Sequence, residues 1–233
     1  TAASAMEATV QYESVGVQSQ SVGLSSNRNG RHHSVHLSRY YFDGWSPSDA
    51  NWDGFTDHLA DSTRTQLWNP KLQHTLTWKT QYHVGNWLIK PRFNGMFERI
   101  DNKGEPRQPY GQTAFDDRYF TRRWMPTLEA KHYGADGNTW EAFVSYQRFW
   151  RSREAFATDL TNLETSPLEF ESQDTTTMHS FQSRGSGDVW SLGMLKIRTG
   201  WDVNHQTLTG QRMSGATKTM SDAALFAQAF WES

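Results

Sequence analysis

Polar and apolar residues alternate with a period of two along much of this chain. The stretch Leu195–Gly210 is the clearest case: Leu195, Ile197, Thr199, Trp201 and Val203 alternate with Lys196, Arg198, Gly200, Asp202, Asn204 and Gln206. Successive side chains of a strand point to opposite faces, so this alternation predicts a long strand with one apolar face and one polar face. A helix would mix the two sets around its circumference.

The same alternation recurs in segments centred near residues 9, 75, 93, 127 and 143 and is weaker near 37 and 179, and further strands are predicted near 21 and 227. Turn-forming residues separate many of these segments, for example Asn29-Gly30, Gly85-Asn86, the run from Gly134 to Asn138, and Arg184 to Gly187. The chain is therefore predicted to be all-β, an antiparallel meander of about ten strands, and to form one domain over residues 1–233.

The connections between these strands differ regularly in length. After a first tight reversal near Gly16, short turns alternate with aperiodic stretches at 44–65, 100–121, 151–167 and 211–219. Outer-membrane barrels have short periplasmic turns at one rim and long extracellular loops at the other. Tryptophans also fall near strand ends, as in an interfacial girdle. The pattern favours part of a transmembrane β-barrel; the alternative is a soluble Trp-rich carbohydrate-binding β-sandwich.

A barrel in a membrane requires one face of each strand to meet lipid. We expect the polar sets to line a water-filled interior, namely Gln73, Thr75, Thr77, Lys79, Lys196, Arg198 and Asp202. The apolar sets are expected to face lipid, namely Leu76, Trp78, Ile197 and Trp201. The opposite orientation would put Lys or Arg into lipid, at a cost of about 2–4 kcal/mol each near the midplane.

Composition narrows the possible classes of protein. Hydrophobic residues make up 36% of the chain and mean hydropathy is -0.79, and no run approaches the roughly 18 apolar residues of a spanning helix. The net charge of -2 gives no reason to expect nucleic acid. The absence of Cys excludes disulfides, thiolate metal sites and cysteine catalysis. No nucleophile elbow, HExxH motif or phosphate loop is present, so we predict a protein that is not an enzyme.

Two segments carry a family resemblance. GWDVNHQTLTGQRMSG, residues 200–215, resembles a barrel strand and following loop of TonB-dependent outer-membrane receptors, and GRHHSVHLSRYYFDGWSP, residues 30–47, resembles an early strand of the same barrel. The resemblance implies a receptor in the outer membrane of a Gram-negative bacterium that takes up a ferric siderophore, haem or cobalamin. Uptake would be energised by an inner-membrane complex acting through a plug domain.

The departures from that family are also informative. We find no plug domain, no energy-coupling motif and fewer than half of the roughly twenty-two strands of such a receptor. About ten strands could in principle close as a small barrel. By resemblance, however, the chain is expected to be the first part of a larger barrel, cut off at Ser233.

Ligand contact is expected on the long loops. Their candidate aromatic surfaces are Trp45, Trp52, Tyr110 and Tyr119, and the candidate histidines are His58 and His205. The alternative for the aromatic residues is that they pack within their own loops.

An acidic loop between residues 49 and 61 suggests a calcium site. Asp49, Asn51 and Asp53 precede Gly54, with Asp57 behind them, and oxygen ligands at positions one, three and five before a glycine are typical of calcium loops. Position twelve is Ala60 instead of the usual glutamate. The alternative is a solvated acidic loop.

A basic and aromatic cluster is predicted beside these loops. If a hairpin pairs symmetrically about Asp136, then Arg122 lies opposite Trp150 and Arg148 lies opposite Trp124, with Arg151 continuing into the loop. Cation–π contacts alone explain such pairs. The functional alternative is anion binding: lipopolysaccharide phosphate if the cluster faces outward, or an anionic metal chelate if it faces inward.

Overall fold

A computed structural model describes residues 3–45, 64, 68–135, 137–169, 172–192, 194–213 and 216–231. The strands are β1 Ala3–Tyr12, β2 Gln18–Arg28, β3 Arg31–Phe42, β4 Lys71–Val84, β5 Trp87–Asn102, β6 Thr113–Tyr133, β7 Thr139–Asp159, β8 Thr165–Pro167, β9 Asp174–Leu192, β10 Leu195–Gly210 and β11 Lys218–Trp231. A 3-10 turn, Gln211–Met213, follows β10. Within the described ranges, no helix is long and apolar enough to cross a membrane.

All eleven strands belong to one sheet. Neighbours along the chain pair antiparallel in the order β1-β2-β3-β4-β5-β6-β7-β9-β10-β11, and the short β8 pairs only with β7. The predicted all-β antiparallel meander is confirmed, and β8 accounts for the difference from ten strands. A single sheet does not fit the two-sheet sandwich that was the alternative. In the described part, β1 pairs only with β2 and β11 only with β10.

Short and long connections lie at opposite ends of this sheet. Residues 29–30, 85–86, 134–138 and 193–194 connect strands at one end, which we call the turn end. Residues 13–17, 43–70, 103–112, 160–173 and 211–217 connect them at the other end, the loop end. The alternation of short and long connections predicted from the sequence is thus confirmed, and the first tight reversal lies at the loop end.

The register keeps the two sets of side chains on separate faces, apart from a bulge where the β9–β10 pairing shifts between Ile197 and Arg198. Directly opposite residues share a face, so the ladder from Leu37 through Leu76, Gly95 and Trp124 belongs to one face, called the apolar face. Trp78, Ile197 and Trp201 lie on that face as predicted. Gln73, Thr75, Thr77, Lys79, Lys196, Arg198 and Asp202 lie on the other, called the polar face.

Exposure and curvature show which face is enclosed. On β6, Trp124 and Leu128 of the apolar face are 50% and 45% exposed, whereas Thr127 and Glu129 of the polar face are half-buried. A cavity of about 390 Å³ on the polar face is lined by residues from Lys90 on β5 to Phe226 on β11. In a flat sheet those strands would be about 24 Å apart. The sheet is therefore curved, with its polar face inside.

β6 and β7 are much longer than the sequence pattern indicates. Each has 21 residues, whereas a membrane-crossing strand needs about 9–11. Residues 113–121 and 151–159 continue the two strands as a paired ribbon toward the loop end. The prediction that 100–121 and 151–167 are aperiodic loops is therefore wrong for most of their length.

The turn predicted at Arg184 to Gly187 is also wrong, because β9 continues through it and the chain reverses at 193–194. Gly185 and Gly187 lie opposite Trp201 on β10 and Trp140 on β7, and the two indole rings cover the space where glycine has no side chain. The glycines therefore serve close packing within a strand.

Pro91 interrupts the sheet in the middle of β5. It has no N–H, and the pairing with β4 stops between Lys79↔Arg92 and Tyr82↔Ile89. Pairing with β6 continues at Pro91↔Leu128. On the β4 side, the Thr80 hydroxyl donates to the His32 carbonyl oxygen (3.0 Å) and lies 2.7 Å from His33 Nδ1. These bonds join β4 to β3 where β5 cannot contribute.

Candidate functional site

The basic and aromatic cluster of β6 and β7 has the predicted register. Arg122 lies opposite Trp150, and Arg148 lies opposite Trp124. The Arg122 guanidinium carbon lies 5.1 Å from the Trp150 ring centre, and that of Arg148 lies 5.6 Å from the Trp124 ring centre. Both contacts are within the range of cation–π attraction, which explains why these side chains are held against the sheet.

The register divides this cluster between the two faces of the sheet. Arg122 and Arg148 are on the apolar face with Trp124 and Trp150. Arg151 lies opposite Thr121 and is therefore on the polar face, where its guanidinium carbon lies 4.8 Å from the Tyr119 ring centre. The three arginines do not form one patch. They contribute to two sites with different surroundings.

The arginines also differ in their counter-ions. Arg92, Arg153, Arg184 and Arg198 of the polar face are each in an ion pair with a carboxylate, namely Glu129, Asp117, Asp202 and Glu141. Arg122, Arg148 and Arg151 have no carboxylate within ion-pairing distance among the described residues, and all three are exposed. They carry positive charge that no neighbouring carboxylate neutralises.

A buried ion pair fixes the long connection 43–70 to the loop end. The Arg64 guanidinium donates to Asp116 through two N–H groups, at 2.5 Å and 2.6 Å, and the side chains are only 2% and 7% exposed. Asp116 also accepts hydrogen bonds from the Thr158 hydroxyl (2.7 Å) and the Gly104 backbone N–H (3.0 Å). One carboxylate thus connects β6, β7 and two loops.

The surroundings of Asp116 keep it ionised. Burial raises the pKa of its carboxyl, but hydrogen bonds from Arg64, Thr158 and Gly104, with the charge of Arg64, together lower the pKa below its ordinary value of 3.8. Asp116 lies eight residues beyond Trp124 toward the loop end, outside the apolar part of β6. The ion pair therefore persists at neutral pH.

A polar pocket of about 420 Å³ lies beside this pair. Asp101 is one of its lining residues, and Arg99 and Arg118 are both in ion pairs with its carboxylate, at 2.8 Å and 2.7 Å. The Arg118 guanidinium carbon is also 5.3 Å from the Phe156 ring centre. The lining of the pocket has four cationic side chains, Arg64, Arg99, Lys103 and Arg118, and four carboxylates, Asp43, Asp101, Asp116 and Asp117, so neither sign is in excess.

The remaining predicted ligand contacts are dispersed. Trp45 stacks on Trp68 at 4.8 Å and exchanges two backbone hydrogen bonds with it, so it closes the base of its own loop. Tyr110 is 78% exposed in the loop 103–112, and Tyr119 lies under Arg151. His205 is on the apolar face, 2.7 Å from the Ser221 hydroxyl, and belongs to neither site.

Several predicted residues lie outside the described part of the chain, namely Trp52, His58, Asp49, Asn51, Asp53 and Asp57. The calcium prediction for the 49–61 loop stays a prediction. Among the residues that the structure describes, no three His, Asp or Glu side chains are grouped to hold a metal ion.

Sequence reasoning did not identify Arg64, Asp116 or Thr158. Arg64 and Asp116 are 52 residues apart, and no spacing rule relates residues in two different connections. The one available signal is the Asp116-Asp117 pair in a chain rich in Arg, because buried carboxylates require cationic partners.

The sheet is antiparallel and curved, and its outer face is apolar. These are the features of the wall of an outer-membrane barrel. Comparison with solved structures agrees. The chain is similar to BauA, the ferric preacinetobactin receptor of Acinetobacter baumannii, with a TM-score of 0.55 and 10% identity over 95% of this chain and 40% of that one. The resemblance to TonB-dependent receptors is confirmed at the level of the fold.

Two further solved structures have lower TM-scores. The ferric yersiniabactin uptake receptor FyuA of Yersinia pestis has a TM-score of 0.46 and 12% identity, covering 97% of this chain and 37% of that one. The ferric citrate transporter FecA has a TM-score of 0.42 and 13% identity, covering 99% and 37%. The chain thus spans about 40% of the length of the receptors it matches. No protein-family model and no curated protein sequence matches it.

Proposed function

We propose that this chain is part of the barrel of a receptor in the outer membrane of a Gram-negative bacterium, and that the receptor takes up a scarce nutrient. The observation that carries the proposal is the curved sheet whose polar face is enclosed and whose apolar face is exposed. The structural neighbours are transport receptors rather than enzymes. Energy would come from an inner-membrane complex acting through a plug domain, as in TonB-dependent uptake.

We further propose that the ligand is an anionic metal chelate, with a ferric siderophore preferred to haem or cobalamin. The support is Arg151 of the polar face, whose guanidinium is exposed, lies over Tyr119 and has no carboxylate partner in the described part. Guanidinium groups bind carboxylate and phenolate oxygens well, and the Tyr119 ring adds an apolar contact surface with a polar hydroxyl. Tyr110, Trp52 and His58 of the loops would add contacts, and calcium bound by Asp49, Asn51, Asp53 and Asp57 would order the 49–61 loop.

Replacing Arg151 by glutamine should lower uptake of the preferred chelate about tenfold, because one or two charge-assisted hydrogen bonds are lost. The measurement is transport into whole cells that express the full-length protein, using labelled ferric catecholate, ferric hydroxamate, haem and cobalamin in turn. Arg122→Gln is the matched control, since Arg122 also lies over an aromatic ring but on the opposite face. Equal uptake of every compound by wild type and Arg151→Gln would remove Arg151 from the ligand site.

The outer face is proposed to contact the bilayer and lipopolysaccharide. Single cysteines provide the test in isolated outer membranes with a water-soluble thiol reagent. Leu76→Cys and Ile197→Cys should label slowly because lipid covers them, whereas the neighbouring Thr77→Cys and Arg198→Cys should label quickly. Fast labelling at positions 76 and 197 would contradict the orientation and with it the membrane proposal.

A further inference from the structure

The apolar face has an open groove of about 480 Å³ across β3, β4, β5 and β6. Gly95 lies at its floor, between Leu76 and Trp124 on the neighbouring strands. Most of the side chains around it are apolar, namely Leu37, Leu76, Phe93, Met96, Phe97 and Trp124, and His74, Thr75 and Arg123 complete the lining. A groove lined mostly by apolar side chains suits an alkyl chain rather than a polar ligand.

Two guanidinium groups lie against aromatic rings that line this groove. Arg122 is 6.0 Å from the Phe97 ring centre, and Arg148 is 5.6 Å from the Trp124 ring centre. The two arginines are on adjacent strands, two residues apart in register, which places their Cβ atoms within about 8 Å of each other. Two flexible side chains at that separation can bind the oxygens of one phosphate group.

Within the described residues, no carboxylate neutralises either charge. Both arginines are exposed and have no carboxylate within ion-pairing distance in the described ranges. They also lie where the apolar part of this face ends. On β6, the residues of this face toward the turn end are apolar, namely Trp124, Pro126, Leu128 and Ala130. Those toward the loop end include charged residues, namely Arg118 and Asp116 beyond Phe120. At that boundary a lipid headgroup would meet the sheet.

We propose that the groove over Gly95 holds an acyl chain of an anionic lipid of the outer leaflet, whose phosphate binds Arg122 and Arg148. The inference rests on the proposed function in one respect, that the apolar face meets lipid. It deepens that proposal by assigning a lipid of defined charge to a defined place. This ligand matches the site in two ways. Its acyl chain is apolar, as the groove is, and its phosphate is opposite in charge to the two guanidinium groups.

The test uses the full-length protein extracted in mild detergent and stripped of bound lipid. Lipid A, with its phosphates and acyl chains, is then added back, and native mass spectrometry measures how much of it the protein retains. Arg122→Gln with Arg148→Gln should lower that retention about tenfold, since the phosphate loses its charged partners. Gly95→Leu should lower it to a similar extent by filling the groove while both arginines remain.

Two controls separate a specific site from general attraction. Arg151→Gln, which removes one exposed arginine from the polar face, should retain lipid A as the wild type does. A dephosphorylated lipid A should bind weakly to the wild type and be insensitive to the double substitution. Inorganic phosphate, used as a competitor, should displace little lipid because it cannot occupy the groove.

Three outcomes would overturn the inference: wild-type retention by the double variant, effective displacement of lipid A by inorganic phosphate, or equal binding of the dephosphorylated lipid. Chelate uptake, measured on the Arg122→Gln, Arg148→Gln double variant and on Gly95→Leu, is an independent readout. If uptake persists while lipid retention is insensitive to every substitution, the lipid site fails and the receptor function stands. If the cysteines at positions 76 and 197 label quickly, the proposed membrane orientation is wrong, and the lipid site that depends on it is wrong as well.

Discussion

Replacing Asp116 by alanine is expected to lower the free energy of unfolding by about 3–5 kcal/mol, the usual cost of removing one partner of a buried ion pair. The substitution takes away the carboxylate that accepts from Arg64, Thr158 and Gly104, all within 3.0 Å. Arg64 of the connection 43–70 and Gly104 of the connection 103–112 would both lose their hydrogen bonds to β6. The measurement is urea unfolding of the full-length protein in lipid vesicles, followed by tryptophan fluorescence.

The matched control is the next residue along the chain. Asp117 is paired with Arg153, but the side chains are 19% and 29% exposed, so Asp117→Asn should cost about 1 kcal/mol or less. Replacing Arg64 and Asp116 together by leucine should recover much of the lost stability, because no buried charge is then left behind. If Asp116→Ala costs no more than Asp117→Asn, the buried pair does not stabilise the loop end.

The stabilisation by Asp116 has a definite pH dependence. Its pKa in the folded protein lies below the ordinary 3.8, so the unfolded chain takes up the proton first as pH falls. The contribution is therefore complete above about pH 5 and is lost as pH falls through the folded-state pKa. In the same unfolding experiment, the difference between wild type and Asp116→Ala should be constant from pH 6 to about pH 8 and should shrink below about pH 4.

Replacing Gly185 by leucine is expected to prevent correct assembly of the sheet, and Gly185→Ala to cost about 1–3 kcal/mol by overpacking. A Cβ at Gly185 would overlap the Trp201 ring, which lies flat over the glycine and donates from Nε1 to the Ser183 hydroxyl at 3.0 Å. The ring cannot move without losing that bond. Heat-modifiable mobility on a gel reports the folded fraction, and urea unfolding reports the free energy.

Gly23 is the control position. It also lies within an interior strand, but a Cβ there would approach its nearest neighbour, His36, only to 3.5 Å, so Gly23→Ala should be nearly neutral. Trp201→Ala should relieve the clash, so adding Gly185→Ala to it should cost little more. Equal tolerance of alanine at positions 23 and 185 would show that the indole ring adapts.

The sequence predicted the sheet well wherever its two faces have different surroundings. From Trp124 to Ala130 one face is apolar and the other polar, so the period of two is visible. Between Thr113 and Thr121 both faces carry charged and aromatic side chains, and the period disappears although the backbone pairing continues. A polarity pattern reports the environment of a strand, and it cannot reveal a strand whose faces share one environment.

The candidate sites also differ in how far the sequence predicts them. The pairing of Arg122 with Trp150 and of Arg148 with Trp124 follows from one turn and two adjacent strands, so it was predictable. The division of the arginines between two faces follows from the same alternation once the register is known. The pairing of Arg64 with Asp116 depends on how a long connection folds back onto the sheet, which no local pattern encodes.

The paired extensions of β6 and β7 toward the loop end have a thermodynamic consequence for recognition. Residues 113–121 and 151–159 reach outward as hydrogen-bonded ribbon, so the loop between β5 and β6 spans only residues 103–112. A flexible loop that covered the same distance would lose conformational entropy each time a ligand ordered it, about 1–2 kcal/mol for each backbone residue fixed. Tyr119 and Arg151 are on this ribbon, and their backbone is ordered before any ligand arrives. Binding there would consequently show a small entropic penalty in calorimetry.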